Sequence, residues 1–361
     1  MHLQHIWLND FRSYPSVEVE LPPGLTAFLG RNGQGKSNLL EAVAYLATLE
    51  SFRGAPADAL VRRGCQSAVV RGQVDVDGRE QLIEAEINLA GRNRVQVNRQ
   101  RLQRTRDLVE ALRVTVFAPD DLELLKGGPQ VRRSYLDTAL VMERPALDSV
   151  RTDFEKALRQ RNALLKQCKG RLDEAAALTL DVWDHKLAQA GEELTTRRRD
   201  LADRLGPVTT RAYRDVAGET AEVALVYMSD WVDRGLAAAL ADSRPDDVRR
   251  GTTLVGPHRD DLLVLLNDMP SRTHASQGEQ RSLALGLRLG VHRLVTDRAG
   301  VPPVLLLDDV FSELDPVRSA ALLAALPPGQ TLLSSATELP PGAVADLVLD
   351  VTTGRVDPRN S

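Results

Sequence analysis

A chain of 361 residues, 43% hydrophobic and 27% charged, can bury a substantial core in one large or two modest domains. No apolar run approaches the roughly eighteen residues of a membrane span, and Met1-His2-Leu3-Gln4-His5 lacks the regions of a secretory signal, so a cytoplasmic protein without membrane contact is expected. The net charge of −4 does not mark a general nucleic-acid binder, and two cysteines, Cys65 and Cys168, make neither a disulfide framework nor a metal spacing.

The predicted elements begin with strands over His2–Asn9 and Ser16–Leu21, then a short buried strand over Leu25–Leu29. Gly30-Arg31-Asn32-Gly33-Gln34-Gly35-Lys36-Ser37 follows at once and fits the phosphate-binding pattern G-x-x-x-x-G-K-[ST] at every fixed position. Its glycines let successive backbone N–H groups converge on a polyphosphate, and a helix over Ser37–Thr48 adds its positive N-terminus. In this pattern Lys36 reaches the β- and γ-phosphates and the Ser37 hydroxyl ligates Mg²⁺, so ATP with Mg²⁺ is the expected ligand pair.

Ser51–Gly64 reads as a loop with a short helix. Ser67–Val76, Glu80–Leu89 and Arg94–Val97 alternate at strand period, broken by Asp77-Gly78 and Gly91-Arg92-Asn93, and predict an antiparallel layer. A helix over Thr105–Leu112 and a strand over Val114–Phe117 end the first lobe. From there to about Arg250 the pattern is helical. Ala146–Cys168 and Asp173–Leu205 predict a hairpin of long helices, the second ending at Gly206-Pro207; Leu180, Trp183, Leu187, Ala190, Leu194, Leu201 and Leu205 form its seam. Ala221–Met228 predicts a strand and Trp231–Leu240 a further helix.

The last third alternates strands (Leu262–Leu266, Val304–Leu307, Thr331–Leu333, Leu347–Val351) with helices (Gln277–Thr296, Pro316–Leu326), as a mostly parallel sheet requires. Here Ser276-Gln277-Gly278-Glu279-Gln280 opens a helix, Val304–Leu307 delivers Asp308 and Asp309 to a strand end, and Ser312-Glu313-Leu314-Asp315 follows.

Together with the phosphate loop, this ordered set resembles the ABC-type ATPases. The resemblance implies an α/β head (a central, mostly parallel sheet plus an antiparallel β layer) over 1–120 and 251–361, with an inserted, mainly helical arm over 121–250. It places the Mg²⁺ hydration shell on Asp308 and the attacking water on Asp309, where many relatives carry Glu; the shorter side chain implies slow hydrolysis. Ser276, Gly278, Glu279 and Gln280 would meet the γ-phosphate held by a second copy, with Asp315 at the same seam, which implies an ATP-dependent homodimer. Where many ABC proteins carry a switch histidine, this chain has Ser334-Ser335-Ala336-Thr337.

A transporter motor subunit is the alternative, but 240 residues separate Lys36 from Ser276, far more than such subunits insert. Leu8-Asn9-Asp10-Phe11-Arg12-Ser13-Tyr14 resembles the opening of SMC-type DNA repair ATPases, which implies that Arg12 reaches the nucleotide. The nearest resemblance is to the RecF family, carried by Asn32–Asn38 (including Asn38), Phe117–Leu122, Gly127-Gly128-Pro129 with Arg132–Asp137, and Gly256-Pro257-His258-Arg259-Asp260-Asp261. It implies an ATPase that binds DNA at gaps or single-strand/double-strand junctions and helps RecO and RecR load the RecA recombinase. The last of these stretches admits both a structural turn and a nucleotide or dimer role.

Candidate DNA contacts lie in two basic stretches. Between Gly91 and Arg106 stand Arg92, Arg94, Arg99, Arg101, Arg104 and Arg106 without an acid; between Lys126 and Arg171 eleven Lys/Arg, including Arg132 and Arg133, accompany five Asp/Glu. With aromatic residues at 4%, backbone contact with duplex DNA is favoured over base stacking.

Overall fold

Residues 39–47 are buried without interruption, so the helix that carries them is apolar on every side and serves as a core helix. Its surroundings come from a computed structural model describing residues 1–336 and 338–359, without the side chains of Thr105 and Arg106. Thr337 and the Arg106 side chain, both named above, thus lie outside the described residues. The chain forms two compact units: Met1–Leu122 with Val208–Ala221 and Ser276–Ser361, and Glu123–Pro207 with Glu222–Ala275. Relative to the expected division at 120 and 250, residues 208–221 pack with the first unit and 251–275 with the second.

In chain order, the first unit contributes β1 (His2–Phe11), β2 (Tyr14–Glu20), β3 (Leu25–Leu29), α1 (Lys36–Thr48), β4 (Ser67–Val76), β5 (Arg79–Asn88), β6 (Arg94–Val97), β7 (Gln100–Arg101), α2 (Thr105–Ala111) and β8 (Val114–Phe117). The second adds α3 (Glu123–Lys126), α4 (Pro129–Glu143), α5 (Asp148–Cys168), most of α6 (Glu174–Ala217), β9 (Val223–Met228), α7 (Leu236–Arg250), β10 (Asp261–Leu266), β11 (Met269–Pro270) and α8 (Ser271–His274). The first unit resumes with α9 (Gln277–Ala299), β12 (Val304–Asp308), α10 (Pro316–Ala325), β13 (Thr331–Ser335), β14 (Leu347–Thr352) and β15 (Arg355–Pro358).

Two six-stranded sheets result. One is antiparallel, in the order β2-β1-β4-β5-β6-β7. The other runs β15-β14-β3-β13-β12-β8, parallel except for the edge strand β15. Helix α1 touches strands of both sheets, burying Leu39, Leu40, Val43 and Leu46 among Leu3, Ile6, Val70, Leu306 and Leu332. The α/β head expected from the alternation of strands and helices is therefore present.

Two helix boundaries differ from the sequence reading. Helix α6 does not stop at Gly206-Pro207 but runs 44 residues to Ala217, with Pro207 inside it. A proline in a helix interior costs about 3 kcal/mol; the turns beyond it bury Ala212 and Val216 beside Phe117, Leu285 and Leu289, and that burial offsets the cost. Helix α7 starts at Leu236, since Trp231 is held outside it with its indole Nε1 donating to Asp260 at 2.9 Å.

In the second unit α5, α6 and α7 are joined by a buried ionic cluster. Arg161 is fully buried; it donates to Asp184, to Asp247 at 2.7 Å and to Thr253 Oγ1 at 2.9 Å, while Arg244 reaches Asp184 at 2.6 Å. Burial pushes the Asp247 carboxyl up, and Arg161 pulls it back down. The Gly256–Asp261 stretch is a second hub. Asp260 accepts from Tyr227 Oη at 3.0 Å and its carbonyl accepts from Arg133 at 2.7 Å; Asp261 takes Arg132 at 2.7 and 2.9 Å; the Pro257 carbonyl takes Arg198 at 2.9 Å. His258 Nε2 donates to the Thr253 carbonyl at 3.1 Å, and burial pushes that histidine down to about 4. His292 in the first unit, also buried, is likewise pushed down to about 4.

Two predictions follow from these buried groups. Arg161→Leu strands the buried Asp247 carboxylate, Asp184 keeping Arg244, and should destabilise the chain by about 3–5 kcal/mol; the double variant with Asp247→Leu should recover part of that loss in urea denaturation. The two histidines stay neutral in the folded chain below the ordinary histidine value of 6.5, while the unfolded chain takes up protons. Stability should therefore fall as pH drops from 6.5 towards 4, by up to about 3 kcal/mol for each histidine, and His292→Gln should remove its share in a pH series of denaturation midpoints.

Candidate nucleotide site

The parallel sheet brings the phosphate loop and the paired aspartates to one edge. β3 ends at Leu29 and α1 starts at Lys36, and β13 lies between β3 and β12, pairing Ser334 with Phe28 on one side and with Asp308 on the other. Gly30 and Gly35 are fixed by space: a Cβ on Gly30 would stand 2.3 Å from the Val351 carbonyl oxygen, and one on Gly35 2.8 Å from Ser13 Oγ. Gly35 also has φ of +112°, a left-handed value that favours glycine. Neighbours clamp the loop. Tyr14 Oη donates to the Gly35 carbonyl at 3.0 Å, Asn38 Nδ2 to Ser13 Oγ at 3.0 Å, and Gln34 Oε1 accepts from Thr353 N and Oγ1, each at 2.9 Å. Arg31, Asn32 and Gly33 stand exposed at its rim.

Helix α1 starts without a side-chain cap, and the Gly35 carbonyl takes the Asn38 and Leu39 N–H groups at 3.0 and 3.3 Å; an N-terminus of this kind suits an anion. Lys36, 6% exposed, folds its ammonium onto the Gly30 and Arg31 carbonyls at 2.6 and 3.2 Å; burial pushes its pKa down while Asp309 and Asp308 pull it up. Asp308 is 5% exposed, and burial raises its carboxyl against hydrogen bonds from Ser334 and Ser37. A buried carboxylate beside a serine hydroxyl suits one divalent cation. Mg²⁺ takes one or two carboxylates and completes its shell with water and phosphate oxygens, so Asp308 with the Ser37 hydroxyl has the chemistry to hold it. An uncapped helix end, a buried ammonium and this Ser–Asp pair fit a magnesium-bound polyphosphate.

Ser334 governs both aspartates. Its hydroxyl donates to Asp308 Oδ1 at 2.7 Å and accepts from the Asp309 backbone N–H at 3.0 Å. Asp309 sits at φ of +51°, a left-handed conformation that Asp tolerates better than most side chains. The position read as lacking a switch histidine thus holds a group that fixes the Asp308 carboxylate and the Asp309 backbone. Only the parallel register could have revealed this.

A second constellation forms at the N-terminus of α9. Ser276 and Glu279 make a reciprocal capping box, Ser276 N donating to Glu279 Oε2 at 2.7 Å and Glu279 N to Ser276 Oγ at 3.3 Å, and these bonds draw the Glu279 pKa down. Gln280 is buried. Gly278 leaves room for Arg318, whose Nη1 would lie 2.6 Å from an added Cβ. Arg318 in turn bonds Asp315, the N-cap of α10, at 3.0 Å, and Arg281 donates to the Glu313 carbonyl at 2.9 Å. Signature helix and Asp315 loop are thereby one assembly, through two arginines that motif reading alone passed over.

Residues 2–331 match the family model of the RecF/RecN/SMC N terminal domain. The chain is 44% identical to DNA replication and repair protein RecF of Streptomyces avermitilis, an alignment covering 99% of this chain and 100% of that protein, and 43% identical to its namesake of Kineococcus radiotolerans over 93% of each. This chain belongs to the RecF family. Among solved structures, a recombination mediator protein RecF bound to ATP in the RecFOR pathway superposes with a TM-score of 0.91 at 30% identity, covering 99% of this chain and 98% of that one. An Smc head domain from Pyrococcus furiosus, bound to the C-terminal domain of ScpA, gives a TM-score of 0.58 at 15% identity over 99% and 95%, and shares the fold.

Three arginines named above as ligand contacts are held by partners within this RecF-family chain. Arg12 forms a fork on the buried Glu41 with its Nε and Nη2, both at 2.7 Å, and its Nη1 reaches the Ala59 carbonyl at 3.0 Å. Glu41, a lone acid amid the buried stretch of α1, was the signal for that partner. Arg132 and Arg133, expected on DNA, are turned inward onto Asp261 and the Asp260 carbonyl, because two long-range acceptors outbid solvent for their donors. By contrast Arg92, Arg94, Arg99 and Arg101 are all exposed around the β6–β7 hairpin, and Arg94 has only a loose contact with Glu86 at 3.7 Å.

Ser334→Ala should leave ATP affinity within about twofold while lowering turnover by about 10–100-fold and raising the Mg²⁺ concentration needed for half-maximal rate. Titrating rate against Mg²⁺ and against ATP separately checks this; equal loss in both would assign Ser334 to packing alone.

Proposed function

We propose that this RecF-family chain is an ATP-hydrolysing, DNA-binding protein of recombinational repair and replication restart, working in the cytoplasm. In this reading its ATP-bound homodimer holds duplex DNA at gaps or single-strand/double-strand junctions, works with RecO and RecR in loading the RecA recombinase, and is reset by slow hydrolysis. One observation carries the reading: the edge of the parallel sheet gathers Lys36, Ser37, Asp308 and Asp309, whereas the hydrogen bonds of Ser276 run to Glu279 in its own helix. Each is half of a site, and a second copy supplies the other half. The relatives' name, DNA replication and repair protein, and the ATP complex of the RecFOR mediator support the biological assignment.

The division of labour follows from the side chains. Lys36 leaves the Gly30 and Arg31 carbonyls for phosphate oxygens, which also take the free N–H groups at the start of α1. Ser37 and Asp308 hold Mg²⁺, which supplies charge neutralisation of the phosphates when bound. Asp309, set by the Ser334 bond to its backbone, orients the attacking water and accepts its proton at a carboxylate oxygen. Ser276 and the Gly278 N–H offer anion contacts to the γ-phosphate on the partner copy. No helix among the described residues is long and apolar enough to cross a membrane, and the transporter alternative gains no support from the arm.

Lys36→Met should abolish both ATP binding and ATP-dependent dimerisation, while Asp309→Asn should keep both and lower turnover by about 100-fold or more. Light scattering with and without ATP, alongside phosphate release, checks both variants. A dimer that forms equally well without nucleotide overturns the two-copy site.

A further inference from the structure

We infer that a stripe of exposed cations along α5 and the end of α7 is a second contact surface for the phosphate backbone of duplex nucleic acid. The inference rests on the DNA-binding reading above and narrows its second basic stretch to named residues, adding Arg250 from outside it. Of the cations between 126 and 171, several are used internally: Arg132 on Asp261, Arg133 on the Asp260 carbonyl, Arg161 inside the ionic cluster, and Arg151 between Asp148 and Glu155 at 2.8 Å each. What remains is ordered. Lys156, Arg159 and Lys166 are exposed and fall at i, i+3 and i+10, on one face of the helix, with the exposed Gln160, Ala163 and Gln167 between and beside them. No Asp or Glu occurs from Lys156 to Leu172.

The stripe continues past the helix end. Lys169 and Gly170 turn the chain at φ of +46° and +81°, leaving Lys169 and Arg171 exposed. The C-cap of α7 closes on the same place, with a Cβ on Gly251 falling 3.7 Å from Lys166 Cα, so the exposed Arg250 joins the row. Arg249 beside it is paired with Asp246 at 2.7 Å, and the acids at the start of α6 are Asp173, which caps Ala176 N at 2.7 Å, and Glu174.

Interaction with the helix macrodipole accounts for Lys166 in the last turn but not for Lys156 and Arg159, two to three turns earlier. From Lys156 to Lys166 the row covers about 15 Å, past about four phosphates of one strand. A membrane surface is disfavoured because no large apolar side chain is interleaved to enter the lipid. Glutamine and alanine between the cations suit a polyanion of regular charge and read no sequence.

The test is the salt dependence of binding by the full chain, with ATP, to a fluorescent duplex. The triple variant Lys156→Ala, Arg159→Ala, Lys166→Ala should reduce the slope of log affinity against log salt by about 2.7, at about 0.9 per phosphate contact, with ATP-dependent dimerisation unchanged. Ala163→Lys, which adds a cation to the exposed middle of the row and removes nothing, should steepen it by about 0.9; it keeps the test decisive if the triple variant folds poorly. Unchanged slopes in a wild type that binds duplex overturn the stripe and leave the DNA reading standing. A wild type that binds no duplex with ATP overturns both. Loss of binding to anionic phosphatidylserine vesicles without loss on duplex overturns the inference in favour of a membrane contact.

Discussion

The order β3-β13-β12 is the constraint on which the candidate site depends. A strand inserted between the phosphate loop and the Asp308 strand sets their separation, and whatever side chain ends that strand stands between the two chemical groups. Here it is Ser334, small enough to be buried and able to donate and accept at once. Its two bonds fix a carboxylate and a left-handed backbone together, so Asp308 and Asp309 are tied to one side chain. Parallel pairing makes this possible, because all three strands finish at the same edge.

Around that edge, rigidity comes from interactions made far along the chain. Val351 blocks any side chain at Gly30, Thr353 holds Gln34, and Tyr14 and Ser13 hold Gly35 and Asn38. The loop is exposed enough to admit a polyphosphate yet tied at each end to strands that do not bend with it. The α9 end is organised differently: a capping box closes it locally, and Arg318 and Arg281 lash it to the segment after β12. One ion pair, Arg281 with Glu313, crosses between the two segments, while Arg318 pairs with Asp315 in its own segment and packs against Gly278.

Arginine carries much of the burden in the second unit. Arg161, Arg132 and Arg198 are buried, and each meets a carboxylate far away in sequence, on Asp247, Asp261 and Asp137 respectively. A guanidinium presents five donors in one plane, so it can join three elements where an apolar side chain would only pack. The same residue type on α5 faces water. Identical letters in one basic stretch therefore do opposite work, and composition alone cannot separate them.

The sequence by itself determined the phosphate loop, the aspartate pair, the signature helix, the antiparallel layer and the alternation that gives a parallel sheet. These are local: glycine spacing, strand period and caps act within a few residues. Tertiary structure decided the fate of each arginine, the continuation of α6 through Pro207 and the role of Ser334. It also decided that Gly256–Asp261 serves as a hub for Arg132, Arg133 and Arg198. Those outcomes turn on acceptors and apolar surface brought together from distant parts of the chain, 26 residues apart for Ser334 and Asp308 and 129 for Arg132 and Asp261. A propensity or a charge count senses only its own neighbourhood, whereas desolvation and hydrogen-bond satisfaction are settled by whatever the fold delivers to the same place.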